Sequence, residues 1–377
     1  MSGARRKVRF PPEGPFYAVL RRRVHAVMAA EGRSRTAGVA GGLTIAAVVA
    51  VVVLAYLALL LWVDAAWQVV LVGFVLVQGL VMIGTNVMHE SVHDAVSSSP
   101  WVNRVLARSL ELLGGSQPFW RHKHTVVHHT YTSVVGVDED IDLGGLLRLH
   151  PAQPWRPHQR FQALYFPLLY SLCVLQWFLG DFALYARASA GRPGLPRLSP
   201  GDHAIFWLGK ALWLALVLIV PMLLHPPQVV LVVALGILLA LGFNIALLFQ
   251  LAHIVDDAVA IEPGEDGTIA HEWAIHQLQT TVNFGTANRL WNVYTGGLSY
   301  QVEHHLFPRI SHVHYPAISQ VVKETCAEFG APYKEHPKVR AVIGAHVRQL
   351  AAMGRPPATA RASDHAGAAL DAAPIRE

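Results

Sequence analysis

Four apolar stretches, each long enough to cross a bilayer as a helix, constrain this chain more than any other feature. They occupy residues 39–62, 67–88, 205–224 and 228–252, and a helical span needs about 20 predominantly apolar residues. Hydrocarbon offers no water to satisfy backbone N–H and C=O groups, so uninterrupted runs of this length fold as helices that close their own hydrogen bonds. The sequence therefore predicts an all-α membrane protein. The first two stretches are joined by a short link carrying Asp64, and the last two by the turn His225-Pro226-Pro227. Each pair reads as a hairpin. Neither link holds a Lys or Arg, whereas residues 1–36 hold nine against only Glu13 and Glu31. Positive charge collects on the cytoplasmic side, so both links face away from the cytoplasm. Residues 89–160 and everything beyond 253 then share the cytoplasmic side with the two termini.

A fifth apolar stretch, 161–183, is flanked by Arg156 and Arg160 before it and by Arg187, Arg192 and Arg197 after it. A single crossing cannot have two positive ends, so this segment is expected as a helix or re-entrant hairpin at the cytoplasmic interface. The chain thus divides into a basic cytoplasmic arm (1–36), a membrane domain (37–340) with a cytoplasmic helical cap, and a disordered tail (355–377) rich in Ala, Pro and charge. The basic runs Arg5-Arg6-Lys7 and Arg21-Arg22-Arg23 come without any base-reading motif and directly precede a span. They read as membrane anchors rather than as a nucleic-acid surface. Cys173 and Cys326 are far apart and outside any CxxC pattern, which argues against a disulfide framework or a thiolate metal site.

Metal chemistry passes instead to histidine, which numbers 21 and is clustered. His89-Glu90-Ser91-Val92-His93 leaves the second stretch with its imidazoles at i and i+4, on one face of a continuing helix. His124-Thr125-Val126-Val127-His128-His129 repeats the i, i+4 spacing and adds a third imidazole at i+5, expected at a different angle. Gln301-Val302-Glu303-His304-His305 ends in adjacent histidines, which point about 100° apart on a helix and so suit two metals better than one. His253, at the end of the fourth stretch, mirrors His89 at the end of the second. One tetrahedral zinc takes at most four protein ligands, and three when catalytic. Eight histidines therefore imply a binuclear, nitrogen-rich site, and imidazole alone does not choose among iron, zinc, copper and nickel.

Rival readings exist. His89 to His93 also fits HExxH, the helical motif of zinc proteases in which the glutamate is a general base, but a protease leaves the other two boxes without a role. A metal transporter places its ligands near mid-membrane, whereas these lie beyond the helix ends. The spans contain no histidine to hold a haem.

The order HxxxH, HxxxHH and a late box ending in HH, with a membrane hairpin between the last two, resembles the integral-membrane fatty acid desaturases. The stretch GGLSYQVEHHLFPRISHVHYPAI, residues 296–318, is similar to the acyl-CoA and front-end branch, in which the late box is QxxHH. The resemblance runs from about residue 70 to 335. It implies two iron ions held by His89, His93, His124, His128, His129, His304 and His305, with His253 matching the further ligand that follows the fourth span. Gln301 stands where other desaturases have histidine, and ligation through its carbonyl oxygen, action through water and orientation of a neighbour all stay open. Asp138 and Asp140, in the acidic run after the second box, and Asn292 and Glu303 are candidates to receive ring N–H bonds from ligating histidines.

The family chemistry implied is insertion of a double bond into a fatty acyl chain, carried by coenzyme A, acyl-carrier protein or a lipid, with dioxygen as co-substrate. Hydroxylases and ketolases of lipids share the ligand set and are the alternative. The chain has no HPGG haem-domain motif, so a separate electron donor is expected, a ferredoxin or a cytochrome with its reductase. Arg104, Arg108, Arg121 and Lys123 are candidates to meet a phosphate or carrier at the cytoplasmic surface.

Overall fold

In the computed structural model, residues 8–357 are described. All four expected spans form, as helices Gly38–Leu61, Ala66–Val92, Pro200–Leu224 and Pro227–Leu251. The second runs four residues beyond its expected end and so carries His89 inside the helix. Leu43, Leu54, Phe74, Leu208 and Val232 stand largely exposed along the spans, the pattern of a surface solvated by lipid. The fold is an all-α membrane protein. Its strands are confined, among the described residues, to a two-residue parallel pairing of Asn283–Phe284 with Glu335–His336.

Small residues set how closely the spans approach. Packing between membrane helices gains from such positions because lipid is as apolar as leucine and only close contact is left to drive association. A Cβ at Gly79 would come within 2.7 Å of Val52 in the first span. At Gly242 in the fourth span it would come within 2.3 Å of the Ser171 carbonyl oxygen. Ser171 is where the segment expected at the interface breaks. That segment consists of helices Pro157–Ser171 and Cys173–Ser189, bent by 66°, and the fourth span crosses at the bend. Its second half is tied to the third span by Lys210, whose ammonium donates to Asp181 (2.8 Å) and to the Gly114 carbonyl (2.7 Å).

The segment expected as a basic arm contains a helix, Pro15–Ala30. Phe16, Leu20, Val24 and Met28 recur every four residues along one face and are buried against Ile318, Val322 and Cys326 of helix Tyr315–Phe329. Arg21 and Arg22 point outward. The Tyr17 hydroxyl donates to the Leu306 carbonyl (3.0 Å), which fixes this helix against the end of the third histidine box. Residues 1–7 of the arm and 358–377 of the expected tail lie outside the described residues.

Candidate metal centre

Each box sits where a helix departs from regular α geometry or is short. The second span turns from α- to π-helix over Ile83–His89, and the second box is itself π-helical over His122–His128. A π turn bonds i to i+5, is rare, and is found mostly at functional sites. The third box is the six-residue helix Gln301–Leu306, buried along its whole length.

These elements bring all eight histidines together in two abutting groups. The first comprises His89, His93, His124, His129 and His304, and the second His128, His253 and His305. Within the first group Nε2 atoms converge: His124 lies 2.9 Å from His89, 3.1 Å from His93 and 3.2 Å from His129, and His129 lies 3.1 Å from His304. Neutral nitrogens do not crowd like this for each other's sake. The separations are those of neighbouring ligands on one ion at metal–nitrogen bonds of about 2.1 Å. The adjacent pair His304 and His305 divides between the groups, in line with the angle expected on a helix.

In the second box His124 and His128 do come together, in a group with Asp140, as the i, i+4 spacing leads one to expect; His124 also groups with His129 at i+5, while His128 alone of the three joins His253 and His305. The wider π turn brings i+5 round toward the same face as well.

On four of the eight the other ring nitrogen is occupied from outside, whereas His129 Nδ1 is buried without a partner. His128 Nδ1 donates to Asp138 (3.0 Å), which also accepts the backbone N–H of Ser133. His253 Nδ1 donates to the Thr280 carbonyl (3.1 Å), and His305 Nδ1 to Gln277 Oε1 (2.8 Å). His304 Nδ1 pairs with the Tyr315 hydroxyl (3.2 Å). Such bonds fix the tautomer and leave Nε2 with its lone pair directed inward. The Nε2 of His305 is buried without a partner. Burial, reinforced by mutual repulsion, holds His93, His124, His129, His304 and His305 well below the ordinary histidine range, and His253 to about 3. They are neutral, as metal ligands must be. His128 differs. Burial is the largest single influence and opposes its charged form, but the charge and hydrogen bond of Asp138 together with the charge of Asp140 outweigh it and raise the ring above its ordinary value.

The remaining site candidates separate clearly. Asp140 reaches His128 Nδ1 at 3.2 Å and pairs with Lys123. Gln301 lies with its amide nitrogen 3.1 Å from His253 Nε2, and its carbonyl oxygen is buried without a partner. A half-turn of the amide exchanges the two atoms. Asn292 accepts from Ser299 instead of a histidine. Glu303 turns away to Asn283 and Tyr333, and burial pushes its carboxyl up to about 7. Glu90 points away from both groups and accepts from Ser311, the His312 backbone N–H and the His312 ring. It clamps the first box to the segment after the third and is not poised as the base of a zinc protease. Arg108, Arg121 and Lys123 are paired with acidic neighbours.

Sequence reasoning missed Gln277, Thr280, Tyr315 and the Glu90–His312 contact. Apart from Tyr315, eleven residues after His304, each joins residues distant in the chain, and no local pattern marks them.

A membrane four-helix frame closed by eight convergent histidines defines a class, and the fatty acid desaturase family model matches residues 65–337. The chain belongs to that family: it is a membrane-embedded oxidoreductase of the fatty acid desaturase class. It is 36% identical over 370 residues to the sn-1 linoleoyl-lipid 6-desaturase of Synechocystis sp., covering 93% of this chain and 98% of that protein. It is 32% identical to the protein of the same name from Arthrospira platensis, over 95% and 98% of the two chains. An acyl-lipid (8-3)-desaturase of Physcomitrium patens is 31% identical over 72% of this chain and 58% of its own. These relatives are named for lipid-bound acyl chains, not for acyl-CoA.

Proposed function

We propose that the two histidine groups hold a pair of iron ions and that the protein uses them, with dioxygen and two electrons, to place a double bond in an acyl chain carried by a membrane lipid. The convergence of eight buried histidines into two adjoining groups carries this reading. His89, His93, His124, His129 and His304 would hold one ion. His128, His253 and His305 would hold the other, with Gln301 beside His253 as a further ligand through its carbonyl oxygen. Reduced iron with dioxygen supplies an oxidant strong enough to remove hydrogen from unactivated C–H bonds, which no side-chain acid or base can do. The protein's own part is to hold the chain still against the metals and keep water away. The lipid-bound substrate is supported by the names of the relatives.

The site faces the cytoplasm in this reading, because the basic segments lie on the side of the spans that carries the boxes. A ferredoxin or a cytochrome with its reductase brings the electrons there. The test is expression in a host lacking the activity, with double-bond positions read from its lipids by mass spectrometry alongside metal analysis. New unsaturation that His304→Ala abolishes, with about two irons per chain, is the expected outcome. One zinc per chain, or an iron-loaded and reducible protein that forms only hydroxylated product, overturns it.

A further inference from the structure

Two aromatic rings link the first histidine group to the surface. The Trp273 indole N–H donates to the carbonyl of His129 (3.1 Å), and the Trp273 ring stands edge-on to Tyr17 of helix Pro15–Ala30, with centroids 5.3 Å apart. Tyr17 also packs against Phe307, at 6.1 Å between centroids, and its hydroxyl donates to the carbonyl of Leu306, the residue after His305. The histidines beneath are buried, whereas Trp273 and Tyr17 are partly exposed. Beyond them the Arg21 guanidinium stands 5.9 Å from the centre of the Tyr17 ring, a cation–π distance. An indole usually finds some acceptor when buried. Here the acceptor belongs to a residue of the histidine cage, and the neighbouring ring leads out of the protein.

The surface reached in this way is positive. Arg21 and Arg22 are exposed, as is Arg309, two residues beyond Phe307, and none of the three has an acidic partner among the described residues. The nearby acids are engaged, Glu272 by the Gly14 backbone N–H and Glu328 by Arg23 (2.7 Å), with Glu13 exposed ahead of the helix. Anionic lipid is the other taker for exposed arginines. However, the cluster that buries Phe16, Leu20, Val24 and Met28 contains no residue of the four spans. The helix spends its apolar face inside the protein and has none left to lay on a bilayer. A positive rim around a partly exposed aromatic contact instead suits a small, transient encounter steered by charge, the kind that redox partners make.

We propose that this face docks a one-electron carrier protein with an acidic surface, and that electrons pass by Tyr17 and Trp273 to the first histidine group. The assignment rests on the desaturation reading above, which consumes two electrons for each double bond. Two reduced carriers dock in turn, and each is oxidised by one electron. The two electrons, two protons from water and the two hydrogens taken from the acyl chain reduce one dioxygen to two molecules of water. Tunnelling falls off steeply with distance, and the two rings with the indole hydrogen bond bridge the gap without being oxidised themselves.

The probe for testing this is a [2Fe–2S] ferredoxin with an acidic surface, and its binding to the protein in neutral-lipid nanodiscs is read with and without iron. Arg21→Glu combined with Arg22→Glu is expected to lower the association rate about tenfold or more at low salt and to flatten its fall with ionic strength. Arg187→Glu combined with Arg192→Glu makes the same change of net charge at exposed positions after the bent pair and is expected to leave the rate within about twofold. Equal losses in the two double variants mean attraction by bulk charge alone. No loss in the first returns its arginines to the role of membrane anchors. Either result overturns the proposal. Trp273→Phe keeps a ring and removes the N–H. At equal iron content it is expected to bind ferredoxin as the wild type does but to oxidise reduced ferredoxin several-fold more slowly, read from ferredoxin absorbance in a single turnover. An unchanged rate takes Trp273 out of the path and overturns the assignment. If ferredoxin binds at this face and iron-loaded wild-type protein never oxidises it, the desaturation reading fails. If it is oxidised at a rate that the Arg21 and Arg22 changes leave alone, the docking face fails and that reading stands.

Discussion

Among single residues, Gln277 illustrates how much of this centre is held from outside. Its carbonyl oxygen accepts from His305 Nδ1 and stands 2.8 Å from the Thr132 hydroxyl, whose single proton it shares with the His128 carbonyl. One amide therefore fixes the second and third boxes relative to each other. Removal of an outer partner of a ligating histidine typically costs 10–100-fold in metal affinity or activity. Gln277→Leu is expected to lose about that much, read as iron retained during dialysis against a chelator. A loss below about twofold would mean that His305 is oriented by packing alone. The histidines themselves were legible in the sequence because clustering is a local property. Their division between groups was legible for His304 and His305 and not for the second box. Nothing in HKHTVVHH says that the turn is π-helical, so the grouping of His124 with His129 as well as with His128 could not be read from it. Gln277 was invisible because it comes about 150 residues after Thr132 and about 30 before His305, on a helix with no motif of its own.

At the level of elements, the bent pair is held at three points that the sequence does not advertise. The fourth span meets the bend at Gly242, the third span meets its second half through Lys210, and the C-terminal helix Val339–Met353 meets its first half through His346. At the first point a side chain has no room. Gly242→Val is expected to destabilise the protein by about 1–3 kcal/mol, the usual cost of overpacking, seen as a lower midpoint in detergent melting. His346 donates from Nδ1 to the Ile254 carbonyl (2.6 Å) and accepts from the Tyr170 hydroxyl (3.2 Å), so the fold wants it neutral. Burial holds it to about 4. The folded state then binds fewer protons than the unfolded one between that value and the ordinary histidine value of about 6.5. Its stabilisation is complete above about pH 6.5 and fades as the pH falls toward 4. A melting series across that range is expected to slope less steeply in His346→Gln than in the parent. The N-terminal helix teaches a different lesson. Phe16, Leu20, Val24 and Met28 do repeat at helical spacing, but the nine basic charges of the arm pulled the reading toward an anchor.

For the whole molecule, the frame was the most legible part, because a helix in lipid closes its own hydrogen bonds and needs no partner to be recognised. The cap was the least, because its contacts join segments hundreds of residues apart. It also contains the least ordinary chemistry, eight buried imidazoles of which five face one another. Without a metal that arrangement has little to hold it in place. Anything that binds the folded state alone stabilises it by mass action, so iron-stripped protein is expected to melt lower and to recover on addition of ferrous iron. Equal melting with and without iron would mean that the cage is rigid without its ions.

The clamp between Glu90 and the Ser311-His312 segment also sets a timetable. The first box leaves the ribosome about 35 residues ahead of the second and some 200 ahead of the third, and the second span enters the bilayer long before the third box exists. Until His304 and His305 arrive, neither group is complete, and Glu90 lacks the donors that keep it turned outward. The N-terminal helix waits longer still for the face formed by Ile318, Val322 and Cys326. On the proposed two-ion reading, metal capture is therefore a late event of biogenesis, following synthesis of the third box, and a nascent protein stalled before that point carries open boxes that any passing divalent ion can probe.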